Sequence, residues 1–344
     1  MIRISCWGAL RAIVLMAALL WHGQAVAWNR TGHWITAVVA HDALRQNDPA
    51  AFAAAVALLR QHPSAEDWLS WKTEFPQLDD SLILFMMASV FADDARRGKF
   101  ESLDRPDWHY INYAIEPGKT TADIASSRAL TGRLPDALTD NLALLRDGAR
   151  PEAERALALS WVLHLVGDLH QPLHTTGLVN ADFPTGDRGG NDVFVRDPQR
   201  AEFAVRLHAL WDDAVGGPTR DMPRVVALAR EWAASRAGAL SPSSAADWLA
   251  ESYRASVELG YRNGTLRYAL LADVLPPPPE QSATAGAPSA QPGAPMTGPQ
   301  PLRGTFAPPL PEGYVQAMRS FSEARVVQAG RRMAELLRQV SAGR

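Results

Sequence analysis

The chain has 344 residues, of which 47% are hydrophobic, and its formal net charge is −3 at pH 7. This length is sufficient for one large domain or two small ones with a sizeable core. The slightly acidic balance and the absence of long Lys and Arg blocks exclude nucleic-acid binding through a broad basic surface. The one cysteine, Cys6, excludes a disulfide framework.

Residues 1–27 are predicted to be a secretory signal peptide. A positively charged start precedes a short apolar run over residues 12–20, and Ala25-Val26-Ala27 is a small-residue cleavage signal. The apolar run is too short for a membrane-spanning helix. Cleavage after Ala27 would release a soluble protein, secreted or periplasmic, that begins at Trp28.

The remaining chain, residues 28–344, is predicted to be one mainly α-helical domain. Apolar residues at helical spacing indicate helices over 33–46, 50–61, 81–97, 137–147, 152–171, 201–214, 222–237, 244–262 and 314–340. β-structure is expected only around residues 193–195. Residues 275–309, rich in Pro, Ala and Gly, are predicted to be a disordered surface insertion, because this composition buries too little apolar surface to fold.

The stretch from Trp161 to His174 concentrates candidate metal ligands on a helix with many apolar residues. His164 and Asp168 are four residues apart and therefore share one face of that helix. Pro172 should end or kink the helix and leave His174 close by. A buried carboxylate beside imidazoles is unfavourable unless something compensates its charge, and a metal cluster would do so.

Further candidates occur elsewhere in the chain, and one pair, His208 and Asp212, repeats the four-residue spacing. The others are Trp28 as a free N-terminus, His33, Asp93 with Arg96, and His109. Taken singly, each has an ordinary explanation, such as a capping pair, a core histidine or a solvated helix face. Two His-to-Asp pairs without any cysteine favour zinc held by nitrogen and oxygen ligands. We expect His41, His62 and His170 to be structural.

These residues resemble the zinc-dependent single-strand nucleases of the S1/P1 type, which include plant bifunctional nucleases and bacterial relatives. The resemblance covers almost all of residues 28–344. Its most specific parts are His164-x-x-Gly-Asp168-x-His-Gln-Pro-Leu-His174 and Gly186-Asp-Arg-Gly-Gly-Asn191. It implies the multi-helix fold of the phospholipase C/single-strand nuclease type, with three zinc ions in a cleft.

The resemblance also implies three sets of ligands and four further roles. The first zinc would take Asp93, His109, His164 and Asp168; the second His174, His208 and Asp212; the third the amino nitrogen and carbonyl oxygen of Trp28, His33 and a bridging Asp168. Asp93 and Arg96 match catalytic residues of the family, and Tyr110 and Asn191 match residues that bind substrate. Phe91 stands where a Trp is usual in the family, and the family cystines are absent. These departures affect the expected loop geometry and base preference, not the expected metal site.

The implied activity is hydrolysis of P–O3′ bonds in single-stranded DNA and RNA and in 3′-nucleotides, with 5′-phosphate products, by a monomer. Three zinc ions would bring six positive charges against three carboxylates, which supplies local attraction for phosphate in an acidic protein. Zinc would lower the pKa of a water molecule to roughly 7. Tyr110 would stack an unpaired base, worth about 1–3 kcal/mol.

Two alternatives remain open. Zinc-dependent phospholipases C, which act on phospholipid headgroups, share this fold and a processed N-terminal Trp. Two features favour the nuclease over these lipases. The last ligand is a Glu in the lipase pattern, whereas this chain has Asp212, and Arg96 stands in the nuclease-type position. The other alternative is a non-catalytic metal-binding protein, although a purely structural site needs neither Asp93 nor Arg96.

Overall fold

The computed structural model describes residues 28–119, 122–236, 243–275 and 302–342. The predicted signal peptide, residues 1–27, and the centre of the proline-rich tract, residues 276–301, lie outside the described residues. Among the helices that are described, none combines the length and apolar character that a membrane crossing requires.

The fold is mainly α-helical, as predicted. Its α-helices are α1 (Arg30–Asn47), α2 (Pro49–Leu59), α3 (Ala65–Leu69), α4 (Asp80–Asp94), α5 (Leu134–Arg146), α6 (Glu152–Leu169), α7 (Leu207–Asp212), α8 (Met222–Ser235), α9 (Ala245–Ala255), α10 (Leu271–Val274) and α11 (Tyr314–Ala342). Helix α9 continues as a π-helical turn over Ser256–Gly260. A 3-10 turn over Pro172–Thr175 follows α6, which confirms that the helix ends before Pro172.

The described residues also form five short strands. Strands β1 (Ile111–Ile115), β2 (Ala129–Gly132) and β3 (Thr176–Leu178) form a sheet in the order β2-β1-β3, antiparallel between β1 and β2 and parallel between β1 and β3. Strands β4 (Phe194–Arg196) and β5 (Ala204–Arg206) form an antiparallel pair. The strand expected around residues 193–195 is thus confirmed as β4, but the expectation that β-structure occurs only there is wrong, because β1, β2, β3 and β5 are present as well.

The predicted helix over residues 201–214 is wrong in its first half. Residues 204–206 form β5, in which Val195 pairs with Val205, and only residues 207–212 are helical. Phe203, Val205 and Leu207 alternate with polar or small residues. This two-residue period is the pattern of a strand, and it decided the local structure.

The core lies around α1, α4 and α6. Helix α1 packs against α4, α8 and α11, and α6 packs against α4 and α5. Every residue from Leu82 to Ala92 in α4 is buried, as is every residue from Ala158 to Leu169 in α6. These two helices have no solvent face along those lengths, so the polar side chains that they carry are inside the protein.

The far end of the proline-rich tract belongs to the folded domain. Ala204 N donates to Leu302 O at 2.9 Å, Arg196 N donates to Pro308 O at 2.9 Å, and Ala307 is buried. These main-chain hydrogen bonds attach residues 302–309 to β4 and β5, where an insertion was expected over 275–309. The predicted disordered insertion is therefore limited to residues 276–301, and for these residues it remains a prediction.

Candidate metal centre

Eight side chains predicted as metal ligands meet in the interior, although they come from separate parts of the chain. Helix α1 brings His33, the end of α4 brings Asp93, and α6 brings His164 and Asp168. The remaining ligands come from the turn before β1, from the turn after α6, and from α7; they are His109, His174, His208 and Asp212. They form three groups: His33, His164 and Asp168; Asp93, His109 and His164; His174, His208 and Asp212. Within each group, one ligand atom per residue lies within 4.8 Å of the others.

Asp168 belongs to the first group and lies next to His109 of the second. Its Oδ1 is 3.4 Å from His33 Nε2, and its Oδ2 is 3.2 Å from both His109 Nδ1 and His164 Nε2. None of these contacts has hydrogen-bond geometry, and both carboxylate oxygens are buried without a hydrogen-bond partner among the described residues. A buried carboxylate left in this way is strongly unfavourable, so the arrangement calls for a cation.

Backbone carbonyls orient three of the histidines. His164 Nδ1 donates to Ser89 O at 2.8 Å, His174 Nδ1 donates to His109 O at 2.6 Å, and His208 Nδ1 donates to Gly189 O at 2.6 Å. Because a carbonyl oxygen only accepts, each Nδ1 must carry a proton, and in its neutral form each ring has an Nε2 lone pair turned toward its group. Nitrogen and carboxylate donors in this arrangement fit zinc.

The charge states also fit metal ligands. Burial lowers the pKa of His33 to about 4 and that of His208 to about 3, so both imidazoles are neutral at pH 7. Burial opposes ionisation of Asp168, but the nearby His164 imidazole holds the pKa of Asp168 well below its usual range. Burial raises the pKa of Asp212 well above its usual range. A divalent cation reverses that effect, because it favours the ionised carboxylate.

Arg96 lies against this centre. Its Nη2 is 2.9 Å from Asp93 Oδ1, and its side chain is 12% exposed. Its Nε is buried without a hydrogen-bond partner among the described residues. Asp93 is thus both a member of the second group and the ion-pair partner of Arg96.

The other predicted site residues are Tyr110, Asn191 and Trp28. Tyr110 follows His109 and is half-buried, whereas Asn191 is buried and donates from Nδ2 to Arg188 O at 2.9 Å within its own loop. Trp28 is fully buried, and the next residue, Asn29, donates from its main-chain N to Asp212 O at 3.4 Å. The described chain therefore begins beside α7.

Sequence reasoning passed over Gln171, which lies inside the same motif. Its Nε2 donates to Asp212 Oδ1 at 2.7 Å, and its side-chain oxygen accepts from Leu173 N at 2.6 Å. The fully buried amide therefore orients one of the candidate ligands. A polar residue between buried ligands was the signal that could have identified it.

Three histidines predicted to be structural belong to none of the three groups. His170 faces away from Asp168, with Nδ1 donating to Val166 O at 2.7 Å and Nε2 lying 3.0 Å from Arg332 Nη1. His41 bonds Asp42 and Ser81, and His62 stacks on Trp68.

Comparison with known proteins agrees with this geometry. The model of the S1/P1 Nuclease family matches residues 28–342. A segment of 58 residues is 40% identical to Endonuclease 4 of Arabidopsis thaliana, and the match covers 17% of this chain and 16% of that protein. This second match thus spans only a small part of the relative. Because the family match runs over nearly the whole described chain, the protein belongs to the S1/P1 nuclease family, and this membership implies a nuclease hydrolase.

Proposed function

We propose that the protein, processed to begin at Trp28 and exported, is a zinc-dependent endonuclease and 3′-nucleotidase. It hydrolyses P–O3′ bonds of single-stranded DNA and RNA and leaves 5′-phosphates. The observation that carries this proposal is the set of three His and Asp groups, two of them sharing His164, with Arg96 in contact with Asp93.

Three zinc ions fit the donors that these residues offer. Asp93, His109, His164 and Asp168 would hold the first, His174, His208 and Asp212 the second, and His33, Asp168 and the terminal amine and carbonyl of Trp28 the third. The buried and unpartnered oxygens of Asp168 support a bridging role. Bound zinc supplies Lewis acidity and lowers the pKa of water to roughly 7.

Asp93 and Arg96 would perform the polar part of the reaction. Burial opposes ionisation of Asp93, but His164 and Arg96 keep the pKa of its carboxyl below the usual range. The ionised carboxylate can orient the attacking water and accept its proton. The fixed guanidinium of Arg96 can donate to the phosphate oxygens where negative charge develops in the transition state.

Preference for single strands would come from Tyr110. It directly follows a predicted ligand, His109, and it is half-buried, so an exposed part of its ring would be available to a substrate base. An unpaired base can stack on such a ring, whereas a base in a duplex is already stacked and paired. The acidic net charge of the chain also argues that phosphate attraction is local to the metal centre.

The test compares substrates under one set of conditions. Zinc-loaded protein starting at Trp28 is incubated with single-stranded DNA, duplex DNA, RNA, 3′-AMP and phosphatidylcholine vesicles, and the ends of the products are identified. We expect rapid cleavage of single strands and of 3′-AMP, with 5′-phosphate ends on the cleaved strands. Faster release of phosphocholine would favour a phospholipase C, and 3′-phosphate ends would contradict the proposed bond cleavage.

A further inference from the structure

A buried carboxylate outside the metal groups lies in the glycine-rich loop of residues 186–191. Asp187 is fully buried and accepts three hydrogen bonds: from Leu178 N to Oδ1 at 2.8 Å, and from Gly190 N and Tyr261 Oη to Oδ2 at 3.1 and 2.7 Å. Tyr261 is buried as well. Charge-assisted hydrogen bonds of this kind are about twice as strong as neutral ones.

These bonds fix the loop from two directions. Leu178 is the last residue of β3, and Tyr261 directly follows the π-helical turn, so Asp187 connects the loop to two separate elements. The main chain is left-handed at Arg188, Gly189 and Gly190, with φ of 57°, 65° and 83°. A side chain at Gly189 would place its Cβ 2.5 Å from Leu173 O. Such a backbone persists only where the surrounding contacts hold it.

The same loop holds a candidate ligand of the second metal. Gly189 O accepts from His208 Nδ1 at 2.6 Å, and Gly190 O accepts from His208 N at 3.2 Å. The first bond sets the tautomer of the ring and the second sets the position of its backbone. Outer partners that orient a ligand typically contribute 10- to 100-fold in metal affinity.

Asp187 is not a member of any of the three metal groups. Its Oδ1 accepts from Leu178 N, and its Oδ2 accepts from both Gly190 N and Tyr261 Oη, so both oxygens are directed at donors from the protein. Its effect on a metal must therefore pass through the loop and His208.

We propose that Asp187, supported by Tyr261, is a positioning residue for His208 and thereby for the metal bound by His174, His208 and Asp212. The inference rests on one part of the proposed function, namely that this group binds metal; it does not depend on the nuclease activity. The other two groups share no ligand with this one, so they should keep their metal when the loop is loosened.

The experiment uses two variants and a matched control. Asp187→Asn replaces one accepting oxygen by an NH₂ group that faces a donor, and Tyr261→Phe removes one donor while leaving the carboxylate. Tyr253→Phe is the control, because Tyr253 is also fully buried and its hydroxyl bonds Ser127 instead. Each protein is titrated with cobalt(II), and the bound equivalents and the visible absorption are recorded. Circular dichroism and the unfolding temperature of the metal-free form show whether each variant folds.

We expect one cobalt to bind roughly 100-fold more weakly in Asp187→Asn and roughly 10-fold more weakly in Tyr261→Phe. The component of the visible spectrum that belongs to this cobalt ion should weaken in parallel. The control, Tyr253→Phe, should match the unaltered protein. If Asp187→Asn does not fold, Tyr261→Phe decides alone. Unchanged binding in a folded variant, or equal weakening of all three metals, would overturn the inference. Because no nucleic acid is used, an inactive protein with three normal metals would count against the proposed function and leave this inference standing.

Discussion

The guanidinium of Arg96 lies 2.9 Å from Asp93 and is 12% exposed, and its proposed role is to donate to the phosphate of the substrate. We expect Arg96→Ala to lower kcat by about two to three orders of magnitude, in line with the loss of one preorganised donor. Zinc content should not change, because Arg96 is not a ligand. Arg96→Lys should recover only part of the rate, since an ammonium cannot present the planar fork of donors. Steady-state kinetics on an oligonucleotide measure the change, and a rise in KM with kcat intact would contradict the assigned role.

His62 should make the protein sensitive to acid. Burial lowers its pKa to about 3, its ring stacks on Trp68 at 4.2 Å, and its Nδ1 accepts from Ser64 N at 3.0 Å. The unfolded chain binds the proton near pH 6.5. The stabilising contribution is therefore complete above about 6.5 and is lost as the pH falls toward 3.

The matched variant is His62→Asn, whose oxygen can replace Nδ1 as the acceptor but does not titrate. Urea unfolding of the metal-free proteins at pH 7, 6, 5 and 4 gives the difference in free energy of unfolding. The advantage of the unaltered protein should shrink steadily as the pH is lowered. A difference that is independent of pH would show that His62 does not titrate in this way.

Residue types together with the family resemblance predicted the side chains that meet in the three groups, because few arrangements other than a metal site explain several imidazoles and carboxylates within buried helices. Gln171 and Asp187 were harder to recognise. Gln171 acts on Asp212, which is 41 positions away, and Asp187 depends on Tyr261, which is 74 positions away. Contacts at such separations become visible only when the chain is folded, since no spacing within one helix or strand encodes them.

At the scale of elements, the position of His33 depends on how closely α6 approaches α1. A Cβ built on Gly167 would lie 2.8 Å from His33 Nδ1 and 3.0 Å from its Cε1. The ring cannot easily retreat, because it is fully buried and stacks on His164 at a centroid distance of 4.1 Å. Gly167 therefore permits the contact between the two helices that brings His33 to Asp168.

We expect Gly167→Ala to displace His33 and to remove one zinc while the other two remain. The fold should survive, although overpacking of this kind typically destabilises by about 1–3 kcal/mol. Gly148→Ala is the control, because a Cβ there meets no atom within 4 Å. Metal analysis and thermal unfolding compare the two variants, and three zinc ions in Gly167→Ala would contradict the proposed need for a glycine at this contact.

The long buried helices were predictable because their apolar residues continue over many turns. Strands β1, β2 and β3 were not predicted, since segments of three to five residues offer too few positions to establish a period. The pairing of β1 with β3 also depends on the turn after α6, which places Thr176 beside Tyr113. Such short strands are defined by their partners more than by their own sequence.

At the scale of the whole molecule, processing of the precursor and completion of the metal centre would involve the same residue. A backbone nitrogen can bind zinc only as a free amine. An extra Gly before Trp28 should therefore remove one zinc and strongly reduce cleavage of single-stranded DNA. The control carries the additional Gly in the surface turn at Gly148. Equal zinc content and equal rates would exclude the terminal amine as a ligand.

The proline-rich segment of residues 276–301 connects two points that are already in contact. Arg303 N donates to Val274 O at 2.8 Å, so the two ends of the described chain meet on either side of the segment. A short linker such as Gly-Ser-Gly-Ser between Leu275 and Leu302 can close this gap without moving α10. Closing a loop about five times shorter should stabilise the fold by about 1–2 kcal/mol, because less chain entropy is lost on folding.

We therefore expect the shortened protein to unfold a few degrees higher, with unchanged zinc content and unchanged cleavage of single-stranded DNA. The control keeps the original length but scrambles residues 276–301; it should behave like the unaltered protein, because the composition predicts an insertion without a fixed fold and hence without a sequence requirement. Thermal unfolding, metal analysis and initial rates compare the three proteins. A lower unfolding temperature in both altered proteins would mean that the segment packs specifically on the domain, and a loss of activity with normal stability would assign it a part in binding the substrate.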